Sequence, residues 1–136
     1  MFIRKATEAD ASRIAEILVF NNRINYWPIF GDAAYSFGEL QVVPLAKEYA
    51  ASKTKLNHTF VYDDGLVKGM VQVEGPEILK LYVDSFFQSR GIGAELLAFA
   101  LTEKNARFLW ALEKNERAIS FYQRHGFALS LSLIHI

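Results

Sequence analysis

The chain contains no cysteine, only three histidines and three prolines, and no excess charge of either sign. The lack of cysteine excludes disulfides, a thiolate nucleophile and cysteine-ligated metals. His58, His125 and His135 are far apart and show no metal-ligand spacing. Lysine plus arginine and aspartate plus glutamate number 15 each, which argues against a nucleic acid or an anionic membrane as the main partner. We therefore expect no metal.

Two further absences concern the location of the protein. No apolar run is long enough to span a bilayer, and the N-terminal sequence MFIRKATEAD lacks a signal-peptide pattern. We therefore expect a cytoplasmic protein that does not insert into a membrane.

The first half of the chain has the pattern of a strand followed by two helices. The 136 residues, 51% of them hydrophobic, suit one α/β domain with a packed core. FIRKA predicts a strand, a Thr7–Asp10 capping box predicts a helix from about Glu8 to Asn22, and a second helix is predicted over Pro44–Ala51. The aromatic-rich segment NYWPIFGDAAYSFG between these helices is predicted to be irregular.

The second half has mainly strand patterns. Asp64-Gly65 lies between two β-rich runs and predicts a hairpin. EILKLYVD and RFLWALE predict further strands, separated by a helix that runs to about Lys104. NERAISFYQRHG predicts a last helix that ends at Gly126. The element order is β, α, α, β, β, β, α, β, α, which predicts a mixed α/β domain.

The segment QSRGIGA, from Gln88 to Ala94, connects a strand to a helix and carries two glycines beside Arg90. The first amides of a helix have no partners within it, and with the helix dipole they can bind an anion. The glycines allow close approach of such a ligand, or they simply form a tight turn. A dinucleotide-binding fingerprint is the other alternative, but the position of its third glycine is Leu96.

The pattern Gln88-x-x-Gly91-x-Gly93-Ala94 after LYV resembles motif A of the GNAT superfamily of acyl-CoA-dependent N-acetyltransferases. NERAISFYQRHGF resembles the second signature of that family, an Asn before a helix followed by Phe-Tyr-x-x-x-Gly-Phe. The resemblance covers residues 1–128 and implies the GNAT fold, a central mixed, twisted sheet flanked by helices. It also implies acetyl-CoA as the acyl donor, with no metal.

The resemblance further implies where the donor binds. The backbone amides of motif A would hold the pyrophosphate, and the pantetheine arm would lie between two splayed strands, EILKLYV and RFLWALE. Asn115 would contact the same arm. The implied cofactor-binding residues are Leu81, Tyr82, Val83, Gln88, Ser89, Arg90, Gly91, Ile92, Gly93, Ala94 and Asn115.

Acetyl transfer to an amine needs a neutral amine, donors for the oxyanion and a proton for the thiolate. Tyr122 matches the general acid of the family, or is a core tyrosine, and Phe121 beside it is expected in the core. Glu77 is the candidate base, acting through water, or a solvated residue at a strand end. Asp84 is expected to cap a loop, and His58 to be structural.

The acceptor is expected to be a primary amine of a small molecule or a peptide, and it would contact the aromatic segment Tyr26–Phe30 unless that segment packs in the core. Arg117 and Arg124 are expected to be exposed. A homodimer is left open. The alternative function is a non-catalytic acyl-CoA-binding module or sensor. The third possible function is that of a nucleotide-binding protein, in which Glu113 would bind the ribose.

The C-terminus is unlike the family, which adds two strands after HGF. Here nine residues follow Phe127, and the last six, LSLIHI, equal the translation of a common transposon-derived sequencing adapter. We therefore expect a truncated acetyltransferase domain over residues 1–128 and a non-native tail over residues 129–136. The final strands would be missing or replaced, although LSLIHI can itself pair as a strand.

Overall fold

The structure, a computed structural model, describes residues 2–111, 114–130 and 133–135. Its strands are β1 (Ile3–Lys5), β2 (Thr59–Asp63), β3 (Val67–Glu74), β4 (Glu77–Val83), β5 (Phe108–Trp110), β6 (Ala128–Ser130) and β7 (Leu133–His135). Its α-helices are α1 (Ala11–Asn21), α2 (Trp27–Phe30), α3 (Val42–Ala51), α4 (Lys53–Asn57), α5 (Ile92–Glu103) and α6 (Glu116–Arg124). The predicted elements occur in the predicted order, and α2, α4, β6 and β7 are additional to them.

The strands form one mixed sheet in the order β1-β2-β3-β4-β5-β7-β6. In the described part of the chain, only the β4–β5 pair is parallel, and the other neighbours are antiparallel. The predicted hairpin is present between β2 and β3, where Gly65 adopts φ +115° and its amide donates to Asp63 Oδ1 at 3.0 Å. Glycine is favoured at this turn because other residues rarely adopt that conformation.

The first helical segment begins as the capping pattern predicts. The Thr7 amide donates to Asp10 Oδ2 at 2.7 Å, and a 3-10 turn over Glu8–Asp10 leads directly into α1. Asp10 also binds the Arg4 guanidinium through both carboxylate oxygens, at 2.8 and 2.9 Å. These bonds join the start of the helix to β1.

The aromatic segment after α1 is helical, so the prediction of irregular structure was wrong. π-helical turns cover Asn22–Tyr26 and Ala34–Glu39, on either side of α2. The wide turn before Pro28, with Trp27 N bonded to Asn22 O, accommodates a residue that cannot donate a backbone hydrogen bond. Tertiary contacts add to this, since Arg23 Nε donates to the Ser36 carbonyl at 3.0 Å.

The last two strands complete the edge of the sheet beside β5. β7 pairs with β5 from Phe108↔His135 to Trp110↔Leu133, and β6 pairs with β7. Part of LSLIHI therefore does pair as a strand, and each of these strands has only three residues. Leu131, Ser132 and Ile136 lie outside the described residues.

Helices cover both faces of the sheet and bury two separate cores. On one face, α5 and α6 pack on the sheet through residues that include Leu96, Leu97 and Phe127. On the other, α1 and α3 pack on it through residues that include Ile14 and Tyr49. Burial of each large apolar side chain stabilises the fold by roughly 1.5–3 kcal/mol. Among the described residues, no helix combines the length and the apolar character that a membrane crossing requires.

Candidate active site

The two parallel strands β4 and β5 separate to form a cleft. Among the described residues they pair only through Glu77↔Phe108 and Ile78↔Leu109, at the beginning of β4. Beyond Ile78 the strands separate, and a cleft of about 540 Å³ opens between the rest of β4, the end of β5, α5 and α6. The splayed arrangement that the family resemblance implies is therefore present.

A β-bulge at Leu79 lies where the strands separate. The β3–β4 register changes from Gln72↔Lys80 to Val73↔Ile78, which leaves Leu79 without a partner residue in β3. A bulge bends its strand and takes one residue out of the ladder. Leu79 lines the cleft and is 39% exposed, so this irregular backbone faces the cavity. The strand pattern EILKLYV carries no signal for the bulge.

The segment between β4 and α5 has the backbone conformation of an anion-binding loop. Ser89 and Gly91 adopt φ +64° and +82°, and Gly91 is the N-cap of α5. When residues in the left-handed backbone conformation alternate with residues in other conformations, successive backbone amides can point to the same side of the loop. Such strain at a non-glycine residue clusters at functional sites. The helix begins at Ile92, and its first amides lie at the cleft.

The two glycines of this loop serve different purposes. A Cβ atom placed on Gly91 would have no atom within 4 Å, so the space beside its backbone is open to a ligand. A Cβ atom on Gly93 would lie 3.4 Å from Phe121 Cζ, on α6. Gly93 therefore faces α6 at ordinary contact distance, while Gly91 provides the positive φ and the open approach.

Side-chain amides fix the end of β4 at the rim of the cleft. The Val83 carbonyl accepts hydrogen bonds from Gln88 Nε2 and Asn21 Nδ2, each at 3.2 Å. Asn21 is only 4% exposed, and it accepts a hydrogen bond from Asn25 Nδ2 at 3.2 Å. Both asparagines line the cleft from the α1 face. Neither asparagine was predicted from the sequence. Asn21 could have been noticed, because it lies three positions after Leu18 and four after Ile17 and is therefore a polar residue on the apolar face of α1.

Helix α6 forms the opposite wall. Its N-cap is Asn115, whose Oδ1 accepts the Ala118 amide at 3.3 Å, and this bond leaves the Nδ2 group of Asn115 for a ligand. Tyr122 lines the cleft, is 9% exposed, and contacts the rings of Phe121 and Phe127 edge-on. Phe121 packs against the core on the α5 face, as predicted.

All predicted cofactor-binding residues except Arg90 line the cleft. They are Leu81, Tyr82, Val83, Gln88, Ser89, Gly91, Ile92, Gly93, Ala94 and Asn115. The Arg90 side chain is exposed, and its guanidinium carbon lies 5.6 Å from the centroid of the Phe87 ring. Glu77 lies where β4 and β5 still pair, outside the residues that line the cleft. The functional roles of these residues stay predictions.

Other singled-out residues also have defined places. Asp84 caps the turn after β4, accepting the Phe86 amide and the Arg13 guanidinium, each at 2.9 Å. His58 Nδ1 lies 3.2 Å from the Val73 carbonyl, a structural contact. Arg117 and Arg124 are exposed as predicted, and they also line the cleft.

Three further expectations concern metals, nucleotides and the aromatic segment. In residues 2–111, 114–130 and 133–135, no group of three or more metal-ligating side chains comes together. Glu113 lies outside the described residues. Trp27 and Phe30 are 40% and 64% exposed, so core packing does not explain these two aromatic residues.

A lysine in β4 lies on the α1 face among charged and phenolic groups. Lys80 Nζ donates to the Tyr49 hydroxyl at 3.1 Å, and that hydroxyl donates to Gln72 Oε1 at 2.9 Å. Burial lowers the pKa of Lys80, and Lys55 adds to this shift, while Glu48 and Tyr35 oppose it. Burial raises the pKa of Tyr49 to about 12, so this phenol is neutral at physiological pH.

The mixed sheet, the splayed strands and the amide-lined loop at the N-terminus of α5 define the class, an acyl-CoA N-acyltransferase fold. The family profile described as "acetyltransferase (GNAT) domain" matches residues 55–129, more than half of the chain. The protein therefore belongs to the GNAT acetyltransferases, and it is an acyltransferase enzyme with an acyl-CoA as its cosubstrate.

Solved structures share this fold at low sequence identity. PaiA N-acetyltransferase from Thermoplasma acidophilum, solved with coenzyme A, is 19% identical with a TM-score of 0.69, over 97% of this chain and 94% of that one. An N-acetyltransferase from Staphylococcus aureus Mu50 is 17% identical with a TM-score of 0.74, over 99% and 98%. YncA from Salmonella typhimurium, solved with acetyl-CoA, is 20% identical with a TM-score of 0.64, over 94% and 79%.

Proposed function

We propose that the enzyme transfers the acetyl group of acetyl-CoA directly to a primary amine of a small molecule or peptide. The observation that carries this proposal is the single cleft shared by the motif-A loop, the β4 bulge and Tyr122. The loop suits a pyrophosphate, and the splayed strands leave room for an extended arm between them. The chain has no cysteine, which is consistent with transfer that forms no thioester on the protein.

The residues around the cleft suit three roles in this reaction. The amine nitrogen attacks the thioester carbonyl, and the backbone amide of the bulged Leu79 donates to the resulting oxyanion. The C–S bond then breaks, and Tyr122 supplies a proton to the departing thiolate. Glu77, which lies outside the residues that line the cleft, accepts the proton that the amine loses through a bridging water.

A thiol-release assay tests this function. Purified protein is incubated with acetyl-CoA and a panel of amines, and free CoA is measured with a thiol reagent. Tyr122→Phe is the matched variant because it removes one hydroxyl and keeps the ring that packs against Phe121 and Phe127. We expect kcat to decrease by roughly 10²–10⁴-fold, with acetyl-CoA affinity in calorimetry nearly unchanged.

Two outcomes would contradict the proposal. If acetyl-CoA binds but no amine accelerates thiol release, the chain is an acyl-CoA-binding module. If Tyr122→Phe has the wild-type rate, Tyr122 is structural, and water or another group protonates the thiolate.

A further inference from the structure

We propose that Lys80 binds a carboxylate on the acceptor, so that the preferred substrates are amines that also carry a carboxylate group. This inference rests on the proposed function and specifies its substrate class. It concerns the part of the cleft that is lined by Lys80, Asn21 and Asn25.

The position of Lys80 places it beside the reaction centre. It follows the bulged Leu79 directly in β4, and both residues line the cleft. Its ammonium extends to Tyr49 on α3 and lies 5.4 Å from the centroid of that ring. Helix α3 packs on the α1 face of the sheet, and Asn21 and Asn25 line the cleft from the same face. Lys80 and the two asparagines therefore line the same cleft.

Lys80 has no anionic partner within the described part of the chain. The ion pairs there join other residues, and Lys80 is in none of them. Tyr49 does not act as a counterion, because its hydroxyl stays protonated and donates to Gln72. Glu48, the acidic residue that acts on Lys80 electrostatically, is bound to Lys55. An ammonium that is partly removed from water and has no counterion is unfavourable.

The Tyr49 hydroxyl also fixes the direction of the ammonium. A lysine ammonium has three donors, and one of them is used by Tyr49, which is fully buried and immobilised by Gln72. Two donors remain for a ligand. A positioned cation with unused donors is a binding group prepared in advance, because little further ordering is needed when the ligand arrives.

The charge of the site favours a carboxylate over a phosphate. One ammonium matches the single negative charge of a carboxylate, and Asn25 supplies a neutral amide close to the same side of the cleft. A phosphate carries more charge and is usually held by several cations or amides. The neighbouring Lys55 is already paired with Glu48, so of these two lysines it is Lys80 that has no carboxylate partner among the described residues.

Matched amine pairs test this inference. Each pair contains a carboxylate-bearing amine and its counterpart without the carboxylate: phenylalanine and phenethylamine, 4-aminobutyrate and propylamine, and a dipeptide and its C-terminal amide. The last pair distinguishes a peptide carboxylate from that of a free amino acid. The kcat/KM of each amine is measured for the wild type, Lys80→Met, Lys80→Arg and the control Lys47→Met, an exposed lysine on α3 outside the cleft.

The expected result is a preference that depends on the charge of residue 80. We expect the wild type to prefer the carboxylate-bearing member of at least one pair by roughly tenfold or more, the effect of a charged hydrogen bond. Lys80→Met should remove that preference through the KM of the carboxylate-bearing amine. Lys80→Arg should keep most of it, and Lys47→Met should keep all of it, with the KM for acetyl-CoA unchanged throughout.

Several results would overturn the inference. The wild type could show no preference in any pair, or Lys80→Met could slow both members of a pair equally, which would place Lys80 in the chemistry instead. If Lys80→Met does not fold, Lys80→Gln replaces it. If no amine is acetylated, the proposed function fails separately, and calorimetric titration of the same pairs into the CoA complex decides the role of Lys80. Equal binding of both members, or binding of neither, rejects it.

Discussion

The charge of the ligand at the motif-A loop can be tested at one position, Gly91. We compare Gly91→Asp with Gly91→Asn, which has nearly the same size and no charge. Neither side chain meets an atom within 4 Å at its Cβ. Both must adopt φ +82°, a conformation that Asp and Asn tolerate better than other residues. The cost to stability should be about 1 kcal/mol for each variant, or a decrease of roughly 3–6 °C in Tm.

The difference between the two variants therefore reports the charge of the bound group. A carboxylate about 5 Å from a phosphate repels it by about 0.8 kcal/mol per phosphate charge in water and by about 3 kcal/mol at an effective dielectric constant of 20. Those energies correspond to roughly 4- and 160-fold in affinity. A pyrophosphate has two such charges, so the Asp variant should bind CoA at least about 10-fold more weakly than the Asn variant.

Calorimetric titration with CoA measures this difference, and two controls isolate its cause. The difference should shrink as the salt concentration rises, because salt screens exposed charges. It should vanish for pantetheine, which lacks the phosphates. Equal CoA affinity of the Asp and Asn variants, with both folded, would refute the assignment of this loop as the pyrophosphate site.

Three further perturbations test the stability of the fold. The hydrogen bonds from Arg4 lower the pKa of Asp10, so their stabilisation is present above its usual pKa of ~3.9 and is lost as pH falls through the folded-state value. Asp10→Asn should therefore lower the Tm near pH 7 and have little effect on it at strongly acidic pH. A Tm difference between wild type and variant that stays the same at every pH would contradict this. Partial burial lowers the pKa of Lys80, so Lys80→Met should raise the Tm of the ligand-free protein near pH 7. This gain should disappear as pH rises through the unfolded-state pKa of ~10.4, and no gain at pH 7 would show that the partly buried ammonium carries no penalty. Deletion of residues 131–136 removes β7 and its three residue pairs with β5. The Tm should therefore fall, and aggregation should increase because the edge of β5 is exposed. An unchanged Tm would show that the β5–β7 pairing does not stabilise the domain.

Features that depend on neighbouring residues could be predicted from the sequence. The Asp64-Gly65 hairpin follows from a turn that demands positive φ, and the start of α5 follows from glycines placed between a strand and an apolar helical pattern. The Thr7–Asp10 capping box involves residues three positions apart, and both ends of the interaction are visible in the chain. Local chemistry determines each of these, so a short window of sequence is enough.

The features that were missed depend on contacts between distant residues. The aromatic segment has Pro28 and Gly31 and therefore looks irregular, yet the bond of Arg23 to the Ser36 carbonyl joins its helical turns. Lys80 and Tyr49 are 31 positions apart, so no local pattern indicates that they meet. The bulge at Leu79 is equally invisible, because it is a property of the β3–β4 register and the strand pattern continues through it.

The division of the cleft between two parts of the chain explains why the cosubstrate could be predicted and the acceptor could not. The family match covers residues 55–129, which contain β4, the motif-A loop, α5 and α6, the elements that surround the cosubstrate side. The groups that face β4 from the other side, among them Asn25 and Tyr49, come from residues outside that match. A CoA thioester is the same molecule for every family member, so a common loop can bind it. The acceptor differs, and under the proposal made above it is recognised by Lys80 together with groups that α1, α3 and the π-helical turns supply on the same face of the sheet.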